Sequence, residues 1–269
     1  MSPPASTACD NSPCLNGGTC RPLTATTFEC ACTAGFGGPS CLPGAAATTV
    51  AAPVAGGSCP AAIFNGCEKA DVIFMVSYSR YDDRDDIDHE GDYVKALIGE
   101  FQVDPDHVRV GVVVYHNTVR ETIHLDDYAG DKPGLMNRIE VLTGARSQSH
   151  LNPSGNPEFS RALAFVKDNS FAKARPDAKT VVISIVHRLP DGDDYASILQ
   201  TATALKADCT QIFVEAVNRD RYELYPYGGE STSLLQQVAS SPVAPYYFKH
   251  SEFTDMENAG QRFNINCQA

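Results

Sequence analysis

The chain has 269 residues, ten cysteines and a formal net charge of −12. That length suits one domain of ordinary size plus a small module, and no apolar run is long enough to read as a membrane span. The acidic balance disfavours nucleic acid and anionic membrane surfaces as partners and suits cations or basic proteins.

Residues 1–8, MSPPASTA, read as a tail; they lack the charged start and apolar core of a secretory signal. The cysteines nevertheless read as an oxidised set, so the chain is expected to be a piece of a secreted, extracellular protein. Six of them occupy residues 9–41, as Cys9-x4-Cys14-x5-Cys20-x9-Cys30-x-Cys32-x8-Cys41. Almost nothing apolar lies between them, so this segment must be held by disulfides rather than by a core. Gly17-Gly18 and Gly37-Gly38 stand where tight hairpin turns need positive φ. Cys30-x-Cys32 is too closely spaced for a zinc knuckle. Residues 42–58, LPGAAATTVAAPVAGGS, build no packed face and read as a flexible linker, with Thr48 and Thr49 as candidates for O-glycans.

From residue 59 to 269 the texture changes. Residues 70–77, 108–115, 180–186 and 210–217 are short, β-branched and nearly continuously apolar. Strands of this kind are buried on both faces, as in a parallel sheet covered by helices. Helical patterns alternate with them at 92–101, 158–169 and 195–207; the first puts Tyr93, Val94, Leu97, Ile98 and Phe101 on one stripe. Pro105 ends that helix before the next strand. Residues 121–125, ETIHL, read as a short antiparallel edge strand. The expected class is α/β, a doubly wound, mostly parallel and Rossmann-like sheet behind a small disulfide-rich module. Ligands of such sheets bind outside the carboxyl ends of the strands, here after Val76, Tyr115 and Val186. No glycine-rich phosphate loop follows any of them, so no nucleotide cofactor is expected.

Two resemblances complete the reading. NSPCLNGGTC and CTAGFGGPSC resemble the EGF-like family, which implies the pairs Cys9–Cys20, Cys14–Cys30 and Cys32–Cys41. Calcium-binding members carry acids before the first cysteine, and PASTA has none. CLNGGTC matches the family's O-fucose pattern and nominates Thr19, against the plain reading of a hairpin threonine. Across roughly 67–267, the words ADVIFMVSYS, HVRVGVVVY, SRALAFV, KTVVISIVHRLPDGDD and LLQQVASSPVAPYYFKH resemble, in order, the von Willebrand factor type A family. A C-terminal helix is expected at ENAGQRFNINC. The resemblance also implies Cys67–Cys267, which leaves Cys59 with Cys209. Cys59–Cys267 with Cys67–Cys209 stays open.

Members of that family that bind ligand through a metal use an Asp and two Ser from the first loop, a Thr from the second and an Asp from the third. Ser77 stands at the first Asp, Ser79 and Tyr81 at the two Ser, and His187 at the last Asp; the segment GARSQSHLNPSGNPEF has no threonine. A hydroxyl and an imidazole do not replace two carboxylates for a hard cation, so the site reads as degenerate and no metal is expected. An alternative places calcium in the acidic loop 82–92, at Asp82, Asp83, Asp85 and Asp86. Against it stands a solvated, acidic first turn of helix 92–101. A further alternative, of another class, is a secreted hydrolase using Ser79 and His187; no nucleophile elbow or oxyanion hole supports it. The other six histidines, His89, His107, His116, His124, His150 and His250, are expected at surface or edge positions. The function expected is that of a non-enzymatic extracellular matrix or adhesion module binding matrix proteins, collagen or another structural protein among them.

Overall fold

The computed structural model describes residues 19–22, 28–31, 36–37, 42–43, 59, 62–78, 84–116, 118–143, 158–186, 193–217, 228–251, 254–255, 263 and 267. The chain divides into two compact units, Met1–Cys59 and Pro60–Ala269, each described by itself.

The described residues of the first unit form two small antiparallel ladders. Strand β1 (Thr19–Pro22) pairs with β2 (Phe28–Ala31), and β3 (Phe36–Gly37) with β4 (Leu42–Pro43). Cys20 and Cys30 face each other in the β1–β2 register, and Thr19 is exposed. The remaining cysteines of this module, Cys9, Cys14, Cys32 and Cys41, lie outside the described residues, as do residues 44–58 of the expected linker; its first two residues, Leu42 and Pro43, form β4 instead.

Among the described residues the second unit has six strands: β5 (Ala70–Ser77), β6 (Val108–Tyr115), β7 (Val119–Ile123), β8 (Lys179–Val186), β9 (Gln211–Val217) and β10 (Tyr247–His250). Their order is β10-β9-β8-β5-β6-β7. All neighbours are parallel except β6 and β7, which run antiparallel. Every residue of β5 and of β9 is buried, as their apolar runs demand. The edge strand lies two residues earlier than ETIHL suggests, because His116 N donates to Thr118 O at 3.0 Å and turns the chain at once. Gly111 makes this tight pairing fit. A Cβ there would stand 2.6 Å from Ile73 Cδ1 and 3.1 Å from Ile123 O.

Helices cover both faces. Phe74 stacks on Phe101, just beyond α1 (Arg84–Glu100). On the other face Tyr115 packs against Phe159 of α3 (Phe159–Phe165). Helix α3 runs on through a π-turn, Val166–Ser170, and a 3-10 turn, Phe171–Lys173. Helices α4 (Tyr195–Ala207) and α5 (Gly228–Val238) follow. The pattern at 195–207 matches α4 residue for residue, and Asp194 caps it by accepting from Ser197 N at 2.9 Å.

Two helical readings need correction. Helix α1 begins at Arg84, not 92, so the acidic run from 84 to 92 is helix rather than loop. Ile87 and Glu90 continue the buried stripe of Tyr93, Val94 and Leu97 at helical spacing, and acids near the helix N-terminus favour its dipole. Helix α2 (Lys132–Thr143) has no counterpart among the helical patterns of the sequence analysis; Lys132-Pro133-Gly134 at its start suits a turn as well. Asp131 caps it, accepting from Gly134 N at 2.9 Å, and Pro133 needs no amide partner in the first turn. Lys132 Nζ also donates to the carbonyls of Gly99 and Phe101, at 2.5 and 2.8 Å. It serves the C-terminal end of α1, whose own last turn has no basic residue.

Cys67 and Cys267 form a disulfide across 200 residues of sequence, with Cα atoms 5.2 Å apart. Cys59 and Cys209 are disulfide-bonded too, and the described residues include no free cysteine. Most of the segment expected to form a C-terminal helix lies outside the described residues.

Candidate functional site

The strand order reverses between β5 and β8, so the crevice of interest lies at the carboxyl ends of β5, β6 and β8. Ser77 ends β5 and is fully buried. Register places it beside Tyr115, the last residue of β6. The Tyr115 phenol is fully buried near the Ser77 and Ser184 hydroxyls. Burial pushes its pKa well above the usual value, Ser77 and Ser184 pull it back, and the charges of Glu90 and Asp193 add to the rise. Tyr78 follows with its N–H on Tyr115 O at 2.9 Å, and its hydroxyl donates to Leu142 O at 3.4 Å.

The third loop contributes Asp193. One carboxylate oxygen, Oδ2, accepts from Phe159 N at 2.9 Å and Ser160 N at 3.4 Å. The other accepts from the Ser160 hydroxyl and, at 2.9 Å, from Asp194 N. The carboxylate thereby binds the start of α3, and Glu158 N ties the same point to His116 O at 2.9 Å. Among the described residues, the crevice is lined by hydroxyls, aromatic rings and the Asp193 carboxylate, with the charge of Glu90 also felt at Tyr115. Such a lining can bind by shape and hydrogen bonds, and the Asp193 oxygens are already engaged by protein donors.

Of the positions singled out in the sequence, Ser77 sits in this crevice. Ser79, Tyr81, Asp82, Asp83 and His187 lie outside the described residues. Asp85 and Asp86 fall in the first turns of α1. His116 is buried and folds onto Thr118, which corrects the expectation of a surface or edge position for it. His250 does lie on an edge strand, β10, but is buried there and bonds Glu215.

Besides Glu90, which is buried rather than solvated, two buried carboxylates on strands escaped the sequence reading. Asp71 in β5 is fully buried and takes Arg109 and Arg175 as partners. Glu215 in β9 is fully buried between Tyr93 and His250. The signal was present in both cases: a charge inside an otherwise apolar buried strand demands a partner.

The strand order and the crevice agree with the family comparison. A model of the von Willebrand factor type A domain matches residues 71–262, and one of the EGF-like domain matches 9–40. This chain belongs to the von Willebrand factor type A domain family. Matrilin-1 of Gallus gallus is 21% identical over 213 residues, covering 78% of this chain and 38% of that protein. The collagen alpha-6(VI) chain of Mus musculus is 21% identical over 203 residues, covering 74% of this chain and 8% of that one. The chain therefore spans well under two thirds of these relatives. Proximal thread matrix protein 1 of the mussel byssus, solved with a zinc-occupied MIDAS motif, superposes with a TM-score of 0.61 at 19% identity, over 76% of this chain and 50% of that one. That likeness speaks for the fold.

Proposed function

We propose that this chain is part of a secreted extracellular matrix or adhesion protein, and that its type A domain binds other proteins by surface contact, without a metal ion and without catalysis. The observation that carries the reading is Ser77, fully buried at the end of β5 beside Tyr115, where the family's metal site calls for a carboxylate. A hydroxyl cannot neutralise a strongly hydrated dication. Asp193, the third-loop carboxylate, is spent on the start of α3. Support for the setting comes from the relatives, a matrilin, a collagen VI chain and a thread matrix protein. Matrix proteins, collagen among them, are the partners this reading favours. It includes Cys59–Cys209 as the second disulfide of the large domain, and O-fucose on the exposed Thr19.

The test is a thermal melt of the intact chain with magnesium, calcium, manganese or zinc. A ligand that binds only the folded state, at a hundredfold its dissociation constant, adds about 2.7 kcal/mol. No shift is expected. An upward shift abolished by Asp82→Asn with Asp83→Asn would replace this reading with the acidic-run alternative, and one abolished by His187→Ala would restore a metal at the crevice.

A further inference from the structure

The turn ahead of β5 carries Asn65-Gly66, one of two Asn-Gly pairs in the sequence; the other, Asn16-Gly17, lies outside the described residues. Asn65 is exposed. Its Oδ1 accepts from Cys67 N at 3.0 Å, and its own N–H donates to Glu68 Oε1 at 3.3 Å. A side chain that bonds the amide two residues on forms an Asx-turn, so the carboxamide is curled forward over the Asn65–Gly66 peptide. Gly66 has a φ of 79°, which a residue without Cβ adopts at no steric cost. Its carbonyl takes Gln102 N at 2.8 Å, while its own N–H reaches no acceptor among the described residues.

The turn is fixed on both sides. Upstream, Phe64 is fully buried, packs edge-on against Phe101 with ring centroids 5.2 Å apart, and donates its N–H to Gln211 Oε1 at 2.8 Å. Downstream, Cys67 is bonded to Cys267. These features meet the needs of ring closure at an asparagine. The nucleophile is Gly66 N, with no side chain beside it and no hydrogen bond to give up. The electrophile is Asn65 Cγ, and holding it over the same peptide removes part of the entropy cost of closing the ring. The Cys67 N–H already points at Oδ1, where negative charge develops, and so acts as an oxyanion donor.

We propose that Asn65 is a site of spontaneous deamidation in the folded protein, through a succinimide closed by Gly66. Gly66 N gives its proton to water and bonds Asn65 Cγ; the Cγ–Nδ2 bond breaks and the nitrogen leaves as ammonia. Water then opens the five-membered ring. Attack at Cγ restores the main chain and leaves aspartate, and attack at the main-chain carbonyl carbon leaves isoaspartate. The balance is one amide and one water to one carboxylate and one ammonium, with nothing oxidised or reduced. Either product sets a negative charge beside Glu68, which already meets the Asn65 N–H. Isoaspartate also lengthens the main chain by one carbon between the Phe64 anchor and the Cys67–Cys267 disulfide. The modification is independent of what the domain binds.

Incubation of the intact, oxidised chain in warm neutral buffer, followed by peptide mapping with electron-transfer fragmentation, tests it. Asn137 and Asn169 are exposed as well, but the amides that follow them lie in α2 and in the π-turn, and they serve as internal controls. Asn65 should convert ahead of both, into a mixture of aspartate and isoaspartate, at a rate within about tenfold of that in the reduced, denatured chain. Asn65→Gln, which would have to close a six-membered ring, should fold and keep its amide. Conversion in the folded chain slower than that tenfold bound, aspartate without isoaspartate, earlier conversion of Asn137 or Asn169, or equal loss of ammonia from Asn65→Gln would each overturn the assignment.

Discussion

Arg109 grips the buried Asp71 carboxylate through two parallel hydrogen bonds, Nε to Oδ1 at 2.8 Å and Nη2 to Oδ2 at 2.9 Å. Arg175 closes the other side, donating from its backbone N to Oδ2 at 2.5 Å and from Nε to Oδ1 at 3.0 Å. Its remaining donors reach the carbonyls of Pro105, Ala70 and His107 at 2.6 to 2.8 Å. One carboxylate thus fastens the amino end of β5 to β6 and to the turn after α3. Removing a single partner of such a group strands the others in a poorly hydrated site. Asp71→Ala should cost about 3–5 kcal/mol in chemical denaturation. Replacing Asp71, Arg109 and Arg175 together by apolar residues of similar volume should cost much less than the single change.

Gly111 should not tolerate a side chain. The added methyl of Gly111→Ala meets Ile73 Cδ1 at 2.6 Å and the Ile123 carbonyl at 3.1 Å. Overpacking of this kind costs about 1–3 kcal/mol. Ile73→Val removes the closer atom, so the double variant should recover part of the loss in its melting temperature. Additive losses would show that the Ile123 carbonyl is the contact that matters.

The Cys67–Cys267 disulfide should dominate the redox dependence of stability. It closes a span of 200 residues, for which the chain-entropy model gives about 5 kcal/mol. Cys67→Ser with Cys267→Ser should lower the denaturation midpoint by an amount of that order and leave the far-ultraviolet circular dichroism of the parallel sheet in place. A change below about 1 kcal/mol would mean that the denatured chain is already compact between these ends.

Asp104 sets part of the acid limb. Burial pushes its carboxyl up, but the His107 side chain and the backbone N–H groups of His107 and Asp106 more than offset this and hold it below its ordinary range. With the folded value lowered, the folded state binds fewer protons there. The contribution is present above the unfolded value of 3.8 and is lost as pH falls through the lower folded value. The group is one-third exposed, so its contribution is under about 1 kcal/mol. Asp104→Asn should melt slightly earlier at neutral pH and converge with the wild type once pH is well below 3.8.

Much of the fold was written locally. The runs ADVIFMVS and VRVGVVVY could be read as strands buried on both faces because burial on two sides leaves no polar alternation. YASILQTATALKA could be read as a helix because its period and its Asp194 cap are contained within it. The order of such words also carried the family. What lay beyond the sequence depends on groups distant in the chain. The start of α1 moved back to Arg84 because Ile87 and Glu90 find buried positions that only the assembled sheet supplies. Helix α2 was obscured because Lys-Pro-Gly suits a turn and a helix start equally, and the packed domain selects the latter. Asp71 and Glu215 announced that partners must exist. Which partners they take was decided by tertiary structure, because 38 and 104 residues separate Asp71 from Arg109 and Arg175, and 122 separate Glu215 from Tyr93. The crevice divides in the same way: the sequence placed a serine where a carboxylate would bind metal, and folding buried it beside Tyr115 while committing Asp193 to the start of α3.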